Sequence, residues 1–151
     1  LQRFQFSADP PICVGTTASR ASASNYSDLW WNPAEAGWGL TLAHQGDTIF
    51  ALWYTYGQGG RDQWISASSL VLQTDGSYSG ALQRPAGGIP LAQIGGPATS
   101  FPVPVVGSAS LHFTDGENGV FQYTLDGVTQ TKNITRFVIV GTDQAKPLCA
   151  P

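Results

Sequence analysis

The sequence predicts an all-β fold, an antiparallel meander of about eight strands that closes into a barrel. Short runs rich in β-branched and aromatic residues recur from Gly37 onward. Turn pairs such as Asp75-Gly76 and Asp126-Gly127 separate them in the manner of hairpins. The run count reaches about eight, at which a barrel interior is filled by side chains or holds one small ligand. A two-sheet sandwich of the same strands is the alternative, since strand number alone does not separate the two. At 151 residues the chain suits one domain rather than two.

The first short strand covers residues 28–31. It ends at Asn32-Pro33, a turn pair, within a stretch (WWNPAEAGWGLTLAHQGD) that holds three tryptophans in nine residues. Glu35 is expected to cap this turn, and Gly37 and Gly39 to let the next strand pass close beneath the indoles. Residues 37–44 alternate, Gln45-Gly46-Asp47 turns, and residues 48–56 (TIFALWYTY) form a strand with Ile49, Ala51, Trp53 and Thr55 on one face and Phe50, Leu52, Tyr54 and Tyr56 on the other. Both faces are apolar or aromatic. Such a strand is either buried on both sides or has one face inside the barrel and the other against a partner. Trp30, Trp38, Trp53 and Trp64 are expected to fill a large core that contains no Met.

Strands over residues 62–72 and 77–84 follow. Five prolines and four glycines then fall within residues 85–104, which excludes a regular central strand and marks one long loop. Residues 106–114, 120–125 and 128–140 complete the meander.

Residues 1–24 stand apart, as an N-terminal strand and a Ser/Ala-rich linker ahead of a single β domain over 25–151. The pattern Leu1-Gln2-Arg3-Phe4-Gln5-Phe6 followed by Pro11-Ile12-Cys13 resembles Ile134-Thr135-Arg136-Phe137-Val138-Ile139 followed by Pro147-Leu148-Cys149, at an offset of 133 residues from Leu1 to Ile134. The chain then reads as one module plus the last strand of another. Leu1, Arg3, Phe4 and Phe6 would form an arm that pairs with an edge of its own domain or of a neighbouring copy.

Only 11% of residues are charged, against roughly a quarter in an average domain, and the net charge is -3. Seven scattered basic residues make no stripe for a phosphate backbone, so nucleic acid is not an expected partner. No apolar run approaches the roughly 20 residues of a membrane span. Cys13 and Cys149 lie without the neighbouring His or Cys that a zinc site needs, which leaves a disulfide between the two tails, or two unpaired thiols. A disulfide requires an oxidising compartment, and the low charge also suits an exported protein.

Little points to catalysis. No Gly-x-Ser-x-Gly elbow occurs, and Ser79 lies on a predicted strand. His44 and His112 stand singly on strands and are expected to be solvated or hydrogen-bonded rather than metal ligands. Glu35, with Asp28 and Asp47 flanking, could serve as an acid on a sugar; a turn carboxylate accepting backbone N–H groups is the commoner role. Asp115-Gly116-Glu117-Asn118-Gly119 lacks the ligand spacing of a calcium loop and reads as turn chemistry. Asn25-Tyr26-Ser27 and Asn133-Ile134-Thr135 are glycosylation sequons.

The run Trp31-Asn32-Pro33-Ala34-Glu35-Ala36-Gly37-Trp38-Gly39, with Gln45-Gly46-Asp47, Phe50, Trp53-Tyr54, Tyr56, Gly60 and Trp64, resembles a Trp-rich β module of bacterial exported proteins of unassigned function. One departure is Gly60-Arg61-Asp62-Gln63-Trp64, where those modules often carry Gly-x-Pro-x-Trp. A looser likeness of architecture is to avidin-like and lipocalin-like barrels. The resemblance implies export and modularity and supplies no catalytic residue. The expected function is a non-enzymatic exported module that adheres or self-assembles, as a filament or tandem array, at the bacterial cell surface or outside the cell. The alternative is a monomeric barrel that binds a small apolar or sugar ligand. Contact candidates are Trp30, Trp31, Trp38, Trp53, Tyr54, Tyr56 and Trp64. No cofactor or metal is expected.

Overall fold

The computed structural model describes residues 2–8, 10–96, 100–141 and 144–150. Eight strands form a closed antiparallel barrel: β2 (Asp28–Trp31), β3 (Gly39–Gln45), β4 (Thr48–Tyr56), β5 (Asp62–Leu72), β6 (Tyr78–Gln83), β7 (Val105–Phe113), β8 (Asn118–Leu125) and β9 (Val128–Arg136). Outside it, β1 (Ile12–Thr16) and β10 (Lys146–Ala150) make a separate two-stranded ladder. The Cys13–Cys149 disulfide joins these two strands. No helix among the described residues is long and apolar enough to cross a membrane. The order in the sheet follows the sequence, as hairpin turns require: Asp126, with Gly127, adopts the positive φ that the tight β8–β9 turn needs.

Period-2 alternation sorts the side chains. Ile49, Ala51 and Trp53 of β4 point inward with Leu40, Leu42, Ile65, Ala67, Leu70, Leu111 and Phe121, and form one buried cluster with Trp30. The closing seam is thin. β2 pairs with β9 only at Trp30↔Arg136 and Trp31↔Thr135, and residues 128–133 have no second strand neighbour among the described residues. One further backbone bond, Phe137 N–H to Leu29 O at 2.8 Å, extends it.

Below that seam the barrel end is plugged by charge. Arg20 and Arg136 are 2% and 5% exposed. Asp28 Oδ2 accepts from Arg20 Nη1 at 2.6 Å and from Arg136 Nη1 at 3.3 Å. Arg136 also donates to the carbonyls of Gly116, Ser27 and Asn25, and its guanidinium lies 5.0 Å from the Trp30 ring. Arg20 reaches Pro147 O at 3.1 Å and lies 3.6 Å from Glu117 Oε1. Burial pushes the Arg136 guanidinium below its ordinary pKa, the Arg20 cation adds to this, and Asp28 opposes both. Gly116 permits the fit, because a Cβ there would stand 2.0 Å from Arg20 O.

Several expectations are corrected. The last barrel strand stops at Arg136, so residues 137–139 do not continue the strand expected over 128–140. Residues 2–6, which include Arg3, Phe4 and Phe6 of the expected arm, form no strand; Leu1 lies outside the described residues. The arm instead lies against β3, where the Gln45 amide accepts from Phe6 N–H at 3.1 Å and donates to Phe4 O at 3.1 Å. The Ser/Ala-rich stretch is no free linker, since β1 pairs with β10 and Arg20 is buried in the plug. Trp64 is not core; it is 49% exposed.

Asp28→Asn tests the plug. It leaves two buried guanidinium groups with Glu117 as the remaining nearby acid, and removing one partner of a buried pair typically costs about 3–5 kcal/mol. The low end of that range is expected in urea denaturation, with a barrel that still unfolds in one transition. A loss no larger than that of a surface Asp→Asn variant would contradict it.

Candidate functional site

The tryptophan-rich corner leaves β2 at Trp31 and re-enters the sheet at Gly39. Asn32 makes its turn: Oδ1 accepts from Ala34 N–H at 2.9 Å, and its carbonyl from Glu35 N–H at 3.0 Å. Glu35 does not cap backbone N–H groups as expected. Its carboxylate accepts from Trp38 Nε1 at 3.0 Å and Asn32 Nδ2 at 3.2 Å, and pairs with Lys132 Nζ at 2.9 Å. Lys132 is on β9, so this strap crosses the part of the seam that has no ladder. The hydrogen bond from Lys132 holds the Glu35 carboxyl below the usual range against the opposing effect of burial, with the Trp38 hydrogen bond and the Lys132 charge adding to it.

Above this strap, at the end of the barrel opposite the arginine plug, lies a mouth of about 530 Å³. Strand direction brings together there the ends of β4, β6 and β8 and the starts of β5 and β9. Trp53 and Tyr123 are among its aromatic lining residues, with ring centroids 4.4 Å apart. Thr55, Gln63, Arg61, Asp62, Arg84 and Asp126 add polar groups. Arg84 and Asp126 pair at 2.5 Å, and that hydrogen bond lowers the Asp126 pKa. Tyr123 donates to Gln130 Oε1 at 2.6 Å, and burial raises its pKa. Trp53 is 5% exposed, and its indole N–H makes no hydrogen bond among the described residues. Buried donors are nearly always satisfied, so this N–H wants an acceptor.

A second aromatic feature faces outward. Tyr54 and Trp64 sit opposite each other across β4 and β5, and Tyr54, Tyr56 and Trp64 are 51%, 58% and 49% exposed. Of the other contact candidates, Trp30 is buried in the core, Trp38 is held by Glu35, and Trp31 packs edge-on against Phe137 at 5.0 Å. The mouth thus takes one expected tryptophan, the outer stripe another and the core a third, and the corner keeps Trp31 and Trp38.

Tyr123, Arg84, Gln63 and Asp126 were not singled out by the sequence. Alternation places Tyr123 on the inner face with Phe121 and Leu125, and the inward polar residues at strand ends are the signal that was present. The remaining chemistry is structural. Asp115 Oδ1 accepts from Glu117 N–H at 2.7 Å and Asn118 N–H at 2.9 Å, which is turn chemistry. No group of metal ligands occurs among the described residues. His112 is exposed, whereas His44 is buried, with Nδ1 accepting from Tyr26 N–H at 3.1 Å and Nε2 2.8 Å from Gly46 O. These two bonds require the neutral ring carrying its proton on Nε2. Comparison with known protein families, with curated proteins and with solved structures finds no match to this chain.

Two expectations follow from the titrating groups. Burial lowers the His44 pKa, so the unfolded chain binds more protons once pH falls below the ordinary histidine range. Stability should be full above about pH 6.5 and decline as pH falls through the folded pKa, a decline that His44→Gln should flatten in urea melts at a series of pH values. Glu35→Gln retains a side-chain oxygen for Trp38 but loses the charge facing Lys132. A solvent-screened pair of this kind contributes little, so the drop in stability should match that of the exposed Asp62→Asn in urea melts, and a clearly larger drop would give the strap a larger role.

Proposed function

We propose that this protein is a non-enzymatic binding barrel whose open mouth takes a small, neutral, hydroxyl-rich ligand of the saccharide class. The observation that carries the reading is the aromatic pair Trp53 and Tyr123, ring centroids 4.4 Å apart, set among polar side chains in the lining of the mouth. The volume of about 530 Å³ lies within the usual range of ligand sites. Two arginines, Arg61 and Arg84, and two aspartates, Asp62 and Asp126, leave the rim without net charge, which favours a neutral ligand over an anion or cation. Aromatic faces with interspersed amide, hydroxyl and charged groups suit a pyranose, whose faces are apolar and whose edge is polar. Glu35 is held ionised by Lys132, which suits a strap and not a proton donor, and this supports the non-enzymatic part of the reading.

Export fits the Cys13–Cys149 disulfide, a bond that persists in oxidising compartments. A second reading, an exported module that adheres or assembles with copies of itself as a filament or tandem array, is favoured by the outward stripe of Tyr54, Tyr56 and Trp64. Addition of the arm at an open edge is less supported, because the barrel is closed and residues 2–6 form no strand.

Titration of the protein with maltotriose, cellotriose and chitotriose, followed by tryptophan fluorescence and calorimetry, tests the mouth. Saturable binding of at least one is expected. Trp53→Phe, which shrinks the aromatic face of the mouth, should weaken it by about tenfold, or about 1.4 kcal/mol, while Trp64→Phe on the outer stripe leaves it unchanged. No binding of any neutral saccharide at millimolar concentration, or equal losses in the two variants, would reject the site. Filaments seen by electron microscopy of the same sample would favour the assembling module.

A further inference from the structure

The two ends of the chain carry the same pattern, and the ladder they form is symmetric with respect to it. Aligned on the cysteines, Pro11 corresponds to Pro147, Ile12 to Leu148, Cys13 to Cys149 and Val14 to Ala150. In the antiparallel β1–β10 pair, Cys13 faces Cys149, Ile12 faces Ala150 and Val14 faces Leu148. Over these three of the five ladder pairs, exchanging the two strands leaves the pairing unchanged: each cysteine meets its own counterpart, and each residue before the cysteine meets the residue after it, while Gly15↔Pro147 and Thr16↔Lys146 extend the ladder on one side only. That is the defining property of an isologous, two-fold contact, with its axis at the disulfide. A slip of one residue would set Cys13 opposite Leu148 or Ala150 and destroy both the symmetry and the bond.

A second observation concerns the residues upstream. Arg136 enters the barrel plug and Phe137 packs on Trp31 at 5.0 Å. Their counterparts do neither: Arg3 donates to Pro11 O at 3.2 Å, and Phe4 is 77% exposed. Residues 3–13 thus carry the sequence of a barrel's closing strand and tail, yet they close no barrel here. The tail ladder is a sheet of its own, and Ile12 and Val14 in it are 75% and 60% exposed.

We infer that β10 is a self-complementary docking strand, whose partner is the equivalent tail of another barrel of this kind, and that β1 fills that place in this chain. Two such barrels would be joined tail to tail about a two-fold axis, with cysteine facing cysteine. The contact closes on itself, so it yields pairs of barrels and not an open filament. It is independent of the mouth and stands or falls separately from ligand binding.

The reduced full-length protein provides the test, as its two single-thiol variants Cys13→Ser and Cys149→Ser, because in the parent the facing thiolate would expel a captured peptide and close the native disulfide. Each variant is offered two peptides, residues 10–16 and residues 144–150, each carrying its cysteine as a thiopyridyl disulfide, so that attack by a chain thiolate expels thiopyridone and leaves a mixed disulfide. Peptide mapping by mass spectrometry then reads which thiol was captured. Each peptide is expected on both Cys13 and Cys149 to comparable extents, and its scrambled version on neither above background. Capture of each peptide solely by the cysteine it faces in the chain, or equal capture of scrambled peptides, overturns the inference. A second measurement uses full-length Cys13→Ser/Val14→Pro, in which proline removes a ladder donor from β1. Oxidation by glutathione disulfide should give a Cys149–Cys149 dimer whose Leu148 and Ala150 amides are as protected from hydrogen exchange as in the parent, with the aromatic circular dichroism of the barrel retained. A monomer with a free thiol, or a dimer with unprotected amides, counts against it. If the variant loses its barrel signal, the peptide experiment decides alone.

Discussion

The seam between β2 and β9 has two paired positions, Trp30↔Arg136 and Trp31↔Thr135, where the neighbouring β8–β9 ladder has eight. An eight-stranded sheet closed by so short a ladder needs another source of cohesion. Arg136 supplies it from the end of β9. Its guanidinium reaches the carbonyls of Asn25 and Ser27 before β2, the Asp28 carboxylate at the start of β2, and Gly116 in the β7–β8 turn. One side chain therefore ties three segments across the seam. Its charge is tolerated because Asp28 and the three carbonyls replace water. The same logic draws in Arg20, which shares Asp28 and reaches the Pro147 carbonyl beside the tail ladder.

This arrangement makes the two ends of the barrel unequal. At the arginine end Tyr26 stacks on Phe113 with ring centroids 3.6 Å apart and on His44 at 5.4 Å. At the other end the seam has no ladder, and the Glu35–Lys132 strap replaces it on the flank of the mouth. The unpaired stretch of β9 there is polar, and a lysine within it is a common way to keep an edge from pairing with foreign strands. A cavity can thus open at one end because the other end carries the burden of closure.

The sequence made the barrel legible because hairpin turns and period-2 alternation are local signals. Within β4 they separate Ile49, Ala51 and Trp53 from Tyr54 and Tyr56 without saying which face is inside; barrel closure buries the first set and exposes the two tyrosines. Trp64 was harder to place, since Trp64 and Ile65 are adjacent apolar residues and alternation must send one of them outward. Only the register that sets Trp64 opposite the exposed Tyr54 decides which. The end of β9 departs from the expected strand for a related reason. Residues 137–139 have strand propensity, but the ladder with β2 stops at Arg136, and past it a single backbone bond, from Phe137 N–H to Leu29 O, continues the seam. The mouth draws on Trp53, Gln63, Arg84, Tyr123 and Asp126, which lie on different strand ends and turns, so its composition follows from closure and has no local signature.

The N-terminal arm shows how far propensity alone carries a segment. Residues 2–6 alternate as a strand would, and their backbone groups need partners wherever water is excluded. A closed barrel offers no open edge beside them, yet the Gln45 side chain presents one acceptor and one donor in the spacing of a peptide group. It takes Phe6 N–H and gives its own N–H to Phe4 O, as a neighbouring strand would do. One glutamine thus stands in for a ladder, and Gln45 is itself buried at 4% exposure in doing so. A cavity of about 480 Å³ remains between the arm and the barrel wall, lined by Phe4, Phe6 and Phe50. An element held by a few side-chain bonds over such a space has little local stability of its own, so the arm can leave the wall without opening the barrel.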